Sequence, residues 1–447
     1  MRSLLAIATA SLLGAGVALG NGRAPLTNGI HFQPGDPHSL YVASTFGLLV
    51  SHDDCCTMNW VCEGNIGYGG VWDPKYAIAS DGTIFATTYE GLRISRDGGC
   101  SFTTATSELA AGAPNRIAGI WIDALDIGPS GVVWVGTAES GQPNDIYASR
   151  DNGVTFAAAG LMSATIFWKS VRTAPTNLAR AYISGYEVAT PTAHVMRTDN
   201  LGSTWIASPL VGVQFGSTPV VRFIAVDPVN ADIAYLISEG ANNSVGDRLY
   251  RSSDAGMTWT DVLDASTTIK DVVIKDGVVY VTTLMASGTP IGGPSFKSTD
   301  HGATFAAMAN EPQLACLGTS PSGELIGCGA NWEPDYMAVA RSTDSAVTFG
   351  KVWRFVELAG PLKCPSGTDE YTMCDQGQWQ GLKAQFGASG PTCGAHIVAD
   401  SPVSGGDPAP KSGGCCDSTP APAGAMWLLI GAGYLVTRRR RRAPTGA

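Results

Sequence analysis

Two sets of carboxylates recur along this 447-residue chain, and they suit different chemistry. The first is a column of glutamates: Glu90 five residues after Phe85, Glu139 five after Trp134, Glu187 five after Tyr182, Glu239 four after Tyr235, and Glu333 in the string Trp332-Glu333-Pro334. Acids gathered on one face can hold a cation, a basic partner or sugar hydroxyls, with Trp72, Trp121, Trp168 and Trp332 as stacking surfaces. A pair of carboxylates roughly 5 to 10 Å apart can also cleave a glycosidic bond, and Glu90, Glu139, Asp126 and Glu187 are the residues available for that task. The plain alternative is that glutamate is a soluble loop residue that a repeat copies.

The second set is aspartates, each inside Ser-x-Asp-x-Gly-x-(Ser/Thr)-(Phe/Trp). Clean copies are Ser95–Phe102, Ser149–Phe156, Ser252–Trp259 and Ser298–Phe305. Two are worn: Arg197–Trp205, where Leu201 reads as an insertion after Asp199, and Ser342–Phe349, with Ala346 in the glycine place. A seventh, Ser51–Thr57, keeps Ser, Asp and Thr but lacks glycine. Asp53, Asp97, Asp151, Asp199, Asp254, Asp300 and Asp344 are spaced by 44, 54, 48, 55, 46 and 44 residues, the length of one four-stranded propeller blade. In such a phrase Asp accepts hydrogen bonds from turn amides, Gly supplies φ > 0, and Ser or Thr bonds to the Asp or the backbone. Turn chemistry therefore accounts for all seven aspartates without catalysis.

Each interval holds the elements needed to position these groups. Val221–Val226, the turn Asp227-Pro228-Val229-Asn230, Ile233–Ile237 and Arg248–Arg251 read as three strands entering the phrase, which turns into a fourth. Aligned on the second-strand aromatic, the glutamate column falls in the loop between second and third strands, on the rim opposite the aspartates; Phe46 and Met285 hold that station in units one and six. Glu90, Glu139, Glu187, Glu239 and Glu333 are thus expected to ring the mouth of a central channel. The expected fold is all-β, a seven-bladed propeller over residues 26–356 made of contiguous four-stranded antiparallel blades with no interleaved closing strand.

The phrase resembles the Asp-box, or BNR repeat, of sialidases, sortilin-type receptors, some endoglucanases and non-enzymatic photosystem assembly factors. The resemblance covers about three quarters of the chain and implies the propeller fold, with a structural box and the ligand on the opposite face. It does not imply sialidase chemistry. That family supplies its first arginine from an early (Phe/Tyr)-Arg-Ile-Pro, and the nearest strings, Leu92-Arg93-Ile94-Ser95 and Asn115-Arg116-Ile117-Ala118, do not fit. No nucleophile elbow or phosphate-cradling loop is present.

Residues 1–20 read as a secretory signal, with Arg2 ahead of an apolar stretch and small residues at Ala18 and Gly20. At the other end, a Pro/Gly/Ser linker (395–414) leads to a 415–447 segment: Cys415-Cys416, an apolar run of about fourteen residues and Arg438–Arg442. The run is short of the ~20 residues of an ordinary membrane helix. This order of parts resembles the C-terminal sorting signal of myxobacterial surface proteins. The resemblance implies recognition by a membrane sorting protease and anchoring through Cys415 or Cys416. A plain tail anchor, positive side in the cytoplasm, is the alternative. Either way the protein is expected outside the cytoplasm, at the cell surface of a Gram-negative bacterium, attached to its outer membrane.

Export makes disulfides the default for the other nine cysteines. Cys316 and Cys328 lie equally far from the turn at Ser322 and are expected to bridge one hairpin. Cys364 and Cys374 enclose a small polar loop, Cys55, Cys56, Cys62 and Cys100 cluster near the first two boxes with room for two bridges, and Cys393 is left over. No histidine stands at ligand spacing from any of them, so neither metal nor cofactor is expected. Residues 357–394 form an appendix in which Trp379, Leu382 and Phe386 fall on one helical face. The formal charge of −10, about −16 without Arg2 and the tail arginines, does not suit nucleic acid. The reading is a monomeric, surface-tethered binding or scaffold module for a glycan or protein, with a two-carboxylate glycoside hydrolase as the alternative.

Overall fold

A computed structural model of the chain describes residues 25–69, 72–106, 117–242, 246–284, 292–309, 313–329, 331 and 337–392. The signal segment, Cys393, the linker, Cys415, Cys416, Trp332 and Glu333 lie outside the described residues. Among the described residues no helix is long and apolar enough to cross a membrane.

Seven antiparallel four-stranded sheets follow one another along the chain, each contiguous in sequence, the first gaining a fifth, parallel strand from the appendix. Their first strands are Thr27–Phe32, Tyr76–Ile78, Ile122–Ile127, Phe167–Ala174, Val221–Val226, Thr268–Lys275 and Cys316–Thr319, in blades 1 to 7. Each first strand abuts those of both neighbouring blades, and the seventh abuts the first. First strands therefore line the hub, and the ring closes without a shared strand.

The repeated phrase forms one kind of corner between third and fourth strands. In blade 3, Ser149 Oγ donates to Asp151 Oδ1 at 2.7 Å, and the Gly153 and Thr155 amides donate to Ser149 Oγ and Asp151 Oδ1 at 2.8 and 2.9 Å. All seven corners keep this geometry, each with two consecutive residues at positive φ. In blades 1 and 7 the glycine place is taken by Cys55 (φ 69°) and Ala346 (φ 63°), so the corner's hydrogen bonds hold non-glycine residues in the left-handed region.

The corner aspartates are not all equally held. At Asp151, Asp254, Asp300 and Asp344 the threonine hydroxyl four residues on donates to the second carboxylate oxygen at 2.6 Å. Asp97 of blade 2 departs from them. It accepts only through Oδ1, from Ser95 Oγ at 2.7 Å and the Ser101 amide at 3.0 Å. The Ser101 hydroxyl makes no bond to Asp97 among the described residues, so serine at this place leaves the second carboxylate oxygen without the bond that threonine supplies. The same corner carries Cys100, whose bridge to Cys364 ties it to the appendix.

Blade 4 corrects the reading of Asp199. Thr198 Oγ1 donates to Asn200 Oδ1 at 3.0 Å, and the Gly202 and Thr204 amides complete the corner. The phrase is Thr198–Trp205 with Asn200 in the aspartate place, and Leu201 is no insertion. Asp199 instead pairs with Arg180 and Arg197 on the surface, at 2.5 and 3.0 Å.

The corners also explain the second-strand aromatics. A Cβ on Gly153 would stand 2.4 Å from the Phe85 ring, and one on Gly202 would stand 2.9 Å from Trp134. Tyr182, Tyr235 and Tyr280 send their hydroxyls to Ala231, His301 and Ser345 carbonyls of the next blade. Each aromatic is the seat on which the following blade docks, and burying these rings supplies much of the inter-blade cohesion.

The seam between blades 7 and 1 is closed differently. Thr27 Oγ1 donates across it to Ala338 O at 2.6 Å. The chain then leaves blade 7, and Gly360–Pro361 pairs in parallel with Asn59 and Trp60 of blade 1. The helix Trp379–Phe386 lays Trp379, Leu382 and Phe386 on the seam core, where Phe386 meets Phe46 and Phe355 at ring separations of 5.0 Å. Two disulfides fasten the appendix: Cys62–Cys374 to blade 1 and Cys100–Cys364 to blade 2. The loop between Cys364 and Cys374 is thus not closed on itself, and Cys62 and Cys100 do not bridge within their own cluster. Spacing favours near partners, but ring closure brings together residues 264 and 312 apart. Cys56 is disulfide-bonded too, whereas Cys55 is a buried free thiol. Cys316–Cys328 forms across a directly opposed strand pair, as its spacing implies.

Candidate functional site: the channel mouth opposite the corners

Strand direction puts the loops between second and third strands, and the entries to the first strands, on the rim away from the corners. At that rim the hub carries a charged cluster. Lys75, just ahead of the blade 2 inner strand, donates to Asp123 Oδ1 of blade 3 at 2.7 Å and to the Lys169 carbonyl of blade 4 at 3.2 Å. Lys169 Nζ lies 3.3 Å from Asp123 Oδ2. A side chain of blade 2 can touch blade 4 only near the axis, so this cluster marks the channel mouth. Arg222 of blade 5 continues it, pairing with Glu239 at 3.1 Å and donating to Ile269 O of blade 6.

Asp123 is buried, and two ammonium groups share its charge, so the cluster can anchor hydroxyls or an anion without a large net field. Lys75 keeps 38% of its side chain exposed within the channel. Burial pulls its pKa down to about 8, against the pull of Asp123. Deeper in the hub, burial with Lys270 and Arg172 nearby lowers His31 to about 4, so its ring is neutral at pH 7. Asp126 and Asp271 serve as staples between inner strands. Asp126 accepts from Thr173 N and Oγ1 at 2.7 and 2.8 Å, Asp271 from Leu317 N at 3.2 Å, and burial raises both carboxyls.

Two aromatic groups stand on the same rim. Trp72, Tyr89 and Trp121, from blades 2 and 3, form a triangle with ring separations of 5.1 to 5.5 Å, and Tyr89 is 48% exposed. Phe167 and Tyr186 of blade 4 stack at 5.5 Å. The electrostatic reach of Asp123 and Lys169 to both Tyr89 and Tyr186 places the charged cluster near both groups. Burial raises both phenols, keeping them neutral hydrogen-bonding groups.

The glutamate column divides. Glu90 is exposed in the turn beside Tyr89, and its carboxylate makes no hydrogen bond or ion pair among the described residues. Glu139 Oε2 accepts the Trp121 amide at 3.1 Å and so holds the aromatic triangle in place. Glu187 pairs with His194 at 3.0 Å, and Glu239 with Arg222. Phe46, at the same station in blade 1, is buried beneath the appendix helix, which is why that station carries no acid. Trp168 is not a stacking surface: it is 1% exposed in the core between blades 3 and 4.

The glutamate column does not include the residues nearest the axis. Lys75, Asp123 and Lys169 sit on or just before inner strands, together with Arg222 and Lys270. Aligning first strands on their apolar residues exposes this recurring basic station in blades 2, 4, 5 and 6. Second-strand alignment passes over it.

No protein-family model and no curated protein sequence matches the chain. Among solved structures it is similar to an ancestral GH74 enzyme, with a TM-score of 0.53 and 14% identity over 74% of this chain and 46% of that one. A GH74 enzyme of Niastella koreensis gives 0.42 and 15% over 72% and 64%, and the GH74 xyloglucanase of Xanthomonas campestris 0.40 and 12% over 76% and 74%. The chain spans less than two thirds of the length of the first two. At these identities the likeness concerns the propeller fold alone.

Proposed function

We propose that this chain is an exported, surface-tethered propeller of the Asp-box type that captures a glycan at the channel mouth without cleaving it. The observation that carries the reading is the half-exposed aromatic triangle Trp72, Tyr89 and Trp121 beside the Lys75–Asp123–Lys169 cluster. Flat aromatic faces next to a few fixed polar groups suit the apolar faces and hydroxyl edges of sugar rings. Lack of turnover is supported by how the acids are used. Asp126, Glu139, Glu187 and Glu239 each hold a neighbouring strand, loop or cation, and Asp123 is paired with two lysines, so these carboxylates are already engaged within the protein. Export and tethering rest on the signal-like start and the Cys-apolar-Arg tail.

The test is affinity electrophoresis of the purified protein through gels containing neutral and acidic polysaccharides, alongside assays for new reducing ends. Retardation by at least one polysaccharide is expected, without new ends. Tyr89→Ala with Trp121→Ala should weaken it by about tenfold or more, since stacking contacts dominate such sites. No retardation on any polysaccharide, or turnover, would overturn the reading.

A further inference from the structure

We propose that Glu370 is the proton donor and acceptor for thiol–disulfide exchange at Cys62–Cys374, making this bridge, and not Cys100–Cys364, the redox-responsive latch of the ring. The helical segment Glu370–Gln378 sets Glu370 one turn before Cys374, with Glu370 Oε2 2.8 Å from Cys374 Sγ. The carboxyl is held there: Asn65 Nδ2 donates to the same oxygen at 2.9 Å and to Gly99 O at 2.8 Å, and the Glu370 amide donates to Cys100 O at 3.2 Å. Glu370, Cys62 and Cys374 are all fully buried. No described acid is shown against the sulfurs of Cys100–Cys364, although that bridge is the less buried of the two.

Among the described residues no cation pairs with this buried carboxyl, which is out of place in a purely structural plug. Burial, aided by Asp375 on its own segment, raises Glu370 to about 8, so at pH 7 it carries a proton. The other charged groups nearby are Glu63, on the short helix packed against the segment, and Asp369, which faces Arg93. A proton held against a disulfide sulfur is what a leaving thiolate needs. When a dithiol reductant attacks Cys62 Sγ, the S–S bond breaks and its electron pair goes to Cys374 Sγ. The Glu370 carboxyl gives that sulfur its proton and is reprotonated from water. The second thiol of the reductant then displaces Cys62 as a thiol and leaves as a cyclic disulfide. In the reverse direction the Glu370 carboxylate takes the Cys374 proton, so the thiolate can close the latch.

The experiment follows both bridges in the full-length oxidised protein under dithiothreitol, by acid quenching, differential alkylation and peptide mass mapping. Glu370→Gln keeps the shape and the Asn65 contact but cannot release a proton. At pH 7 it is expected to slow opening of Cys62–Cys374 about tenfold or more, the low end of general acid catalysis. Cys100–Cys364 should open at the wild-type rate. At pH 9 the difference at Cys62–Cys374 should vanish, because wild-type Glu370 has then lost its proton. Equal rates at pH 7, or both bridges slowed alike, would overturn the proposal. If E370Q does not yield folded protein, the wild-type profile decides. Corrected for reagent thiolate, Cys62–Cys374 opening must fall through pH 8, and a flat profile refutes the role.

Discussion

The seven corners and the single seam solve the same problem, joining one sheet to the next, by opposite means. A corner is local: within eight residues Ser, Asp, Gly and Thr satisfy one another, and the glycine rests on an aromatic of the preceding blade. The seam is nonlocal. A parallel strand, an apolar helix and two long-range disulfides do what a shared strand would otherwise do. Local devices can be copied along a chain and weakened one at a time, as blades 1, 4 and 7 demonstrate. A device used once has no spare copy.

The largest expected effect therefore lies at the seam. Replacing Cys62 and Cys374 together by Ser should cost about 3–5 kcal/mol, read from the denaturant midpoint, because the bridge closes a very long loop. A loss below ~1 kcal/mol would mean that the strand and helix suffice. Next comes Gly153→Ala, expected to cost roughly 2–3 kcal/mol. It places a side chain at φ 77° and against the Phe85 ring. Ala346→Gly should do the reverse and stabilise by about 0.5–1 kcal/mol. Smaller again is the contrast inside blade 4. Asn200→Ala should cost about 1 kcal/mol and Asp199→Ala less than half of that, since only Asn200 completes a corner and Asp199 makes surface ion pairs. Equal costs would restore Asp199 as the corner residue.

The two regions should also part with pH. Hydrogen bonds from Ser298 and Thr304 hold Asp300 far below its ordinary value. At Asp151 and Asp344 partial burial is outweighed by bonds from the neighbouring Thr and Ser, which hold the carboxyls at about 2. Groups with depressed values stabilise the fold above pH ~4, and that stability is lost as pH falls toward 2. Glu370, raised to about 8, acts in the other sense: its contribution is complete below its ordinary 4.5 and is lost as pH rises through 8. Thermal unfolding across pH should show both limbs, with E370Q flattening only the alkaline one and Asp151→Asn trimming only the acid one.

How far the fold could be read in advance follows the same division. The period, the strand count per blade and the corner chemistry were legible because they depend on residues within a few positions of each other. So was Cys316–Cys328, whose partners face each other across one hairpin. The second-strand aromatics stood out in the alignment, but their purpose did not, because the corner that each one seats belongs to the next blade. The Asp199 register failed for a local reason: Asn and Thr meet the same hydrogen-bond demands as Asp and Ser, and a motif written in letters passes over that equivalence. Asp97 shows the converse, since Ser101 and Thr155 share a letter class in the motif but only the threonine hydroxyl reaches its aspartate.

The amino-acid order alone determined a ring of seven alike sheets, the rim that carries the turns and the rim left open, since short-range periodicity and hydrogen-bond stereochemistry suffice for these. Only the tertiary structure decided what meets at the axis and at the seam. Lys75 touches blade 4 across blade 3, Cys62 joins a residue 312 positions away, and Glu370 reaches a sulfur inside the latch. Such meetings are set by closure of the ring, which brings distant segments together without any recurring mark in the chain.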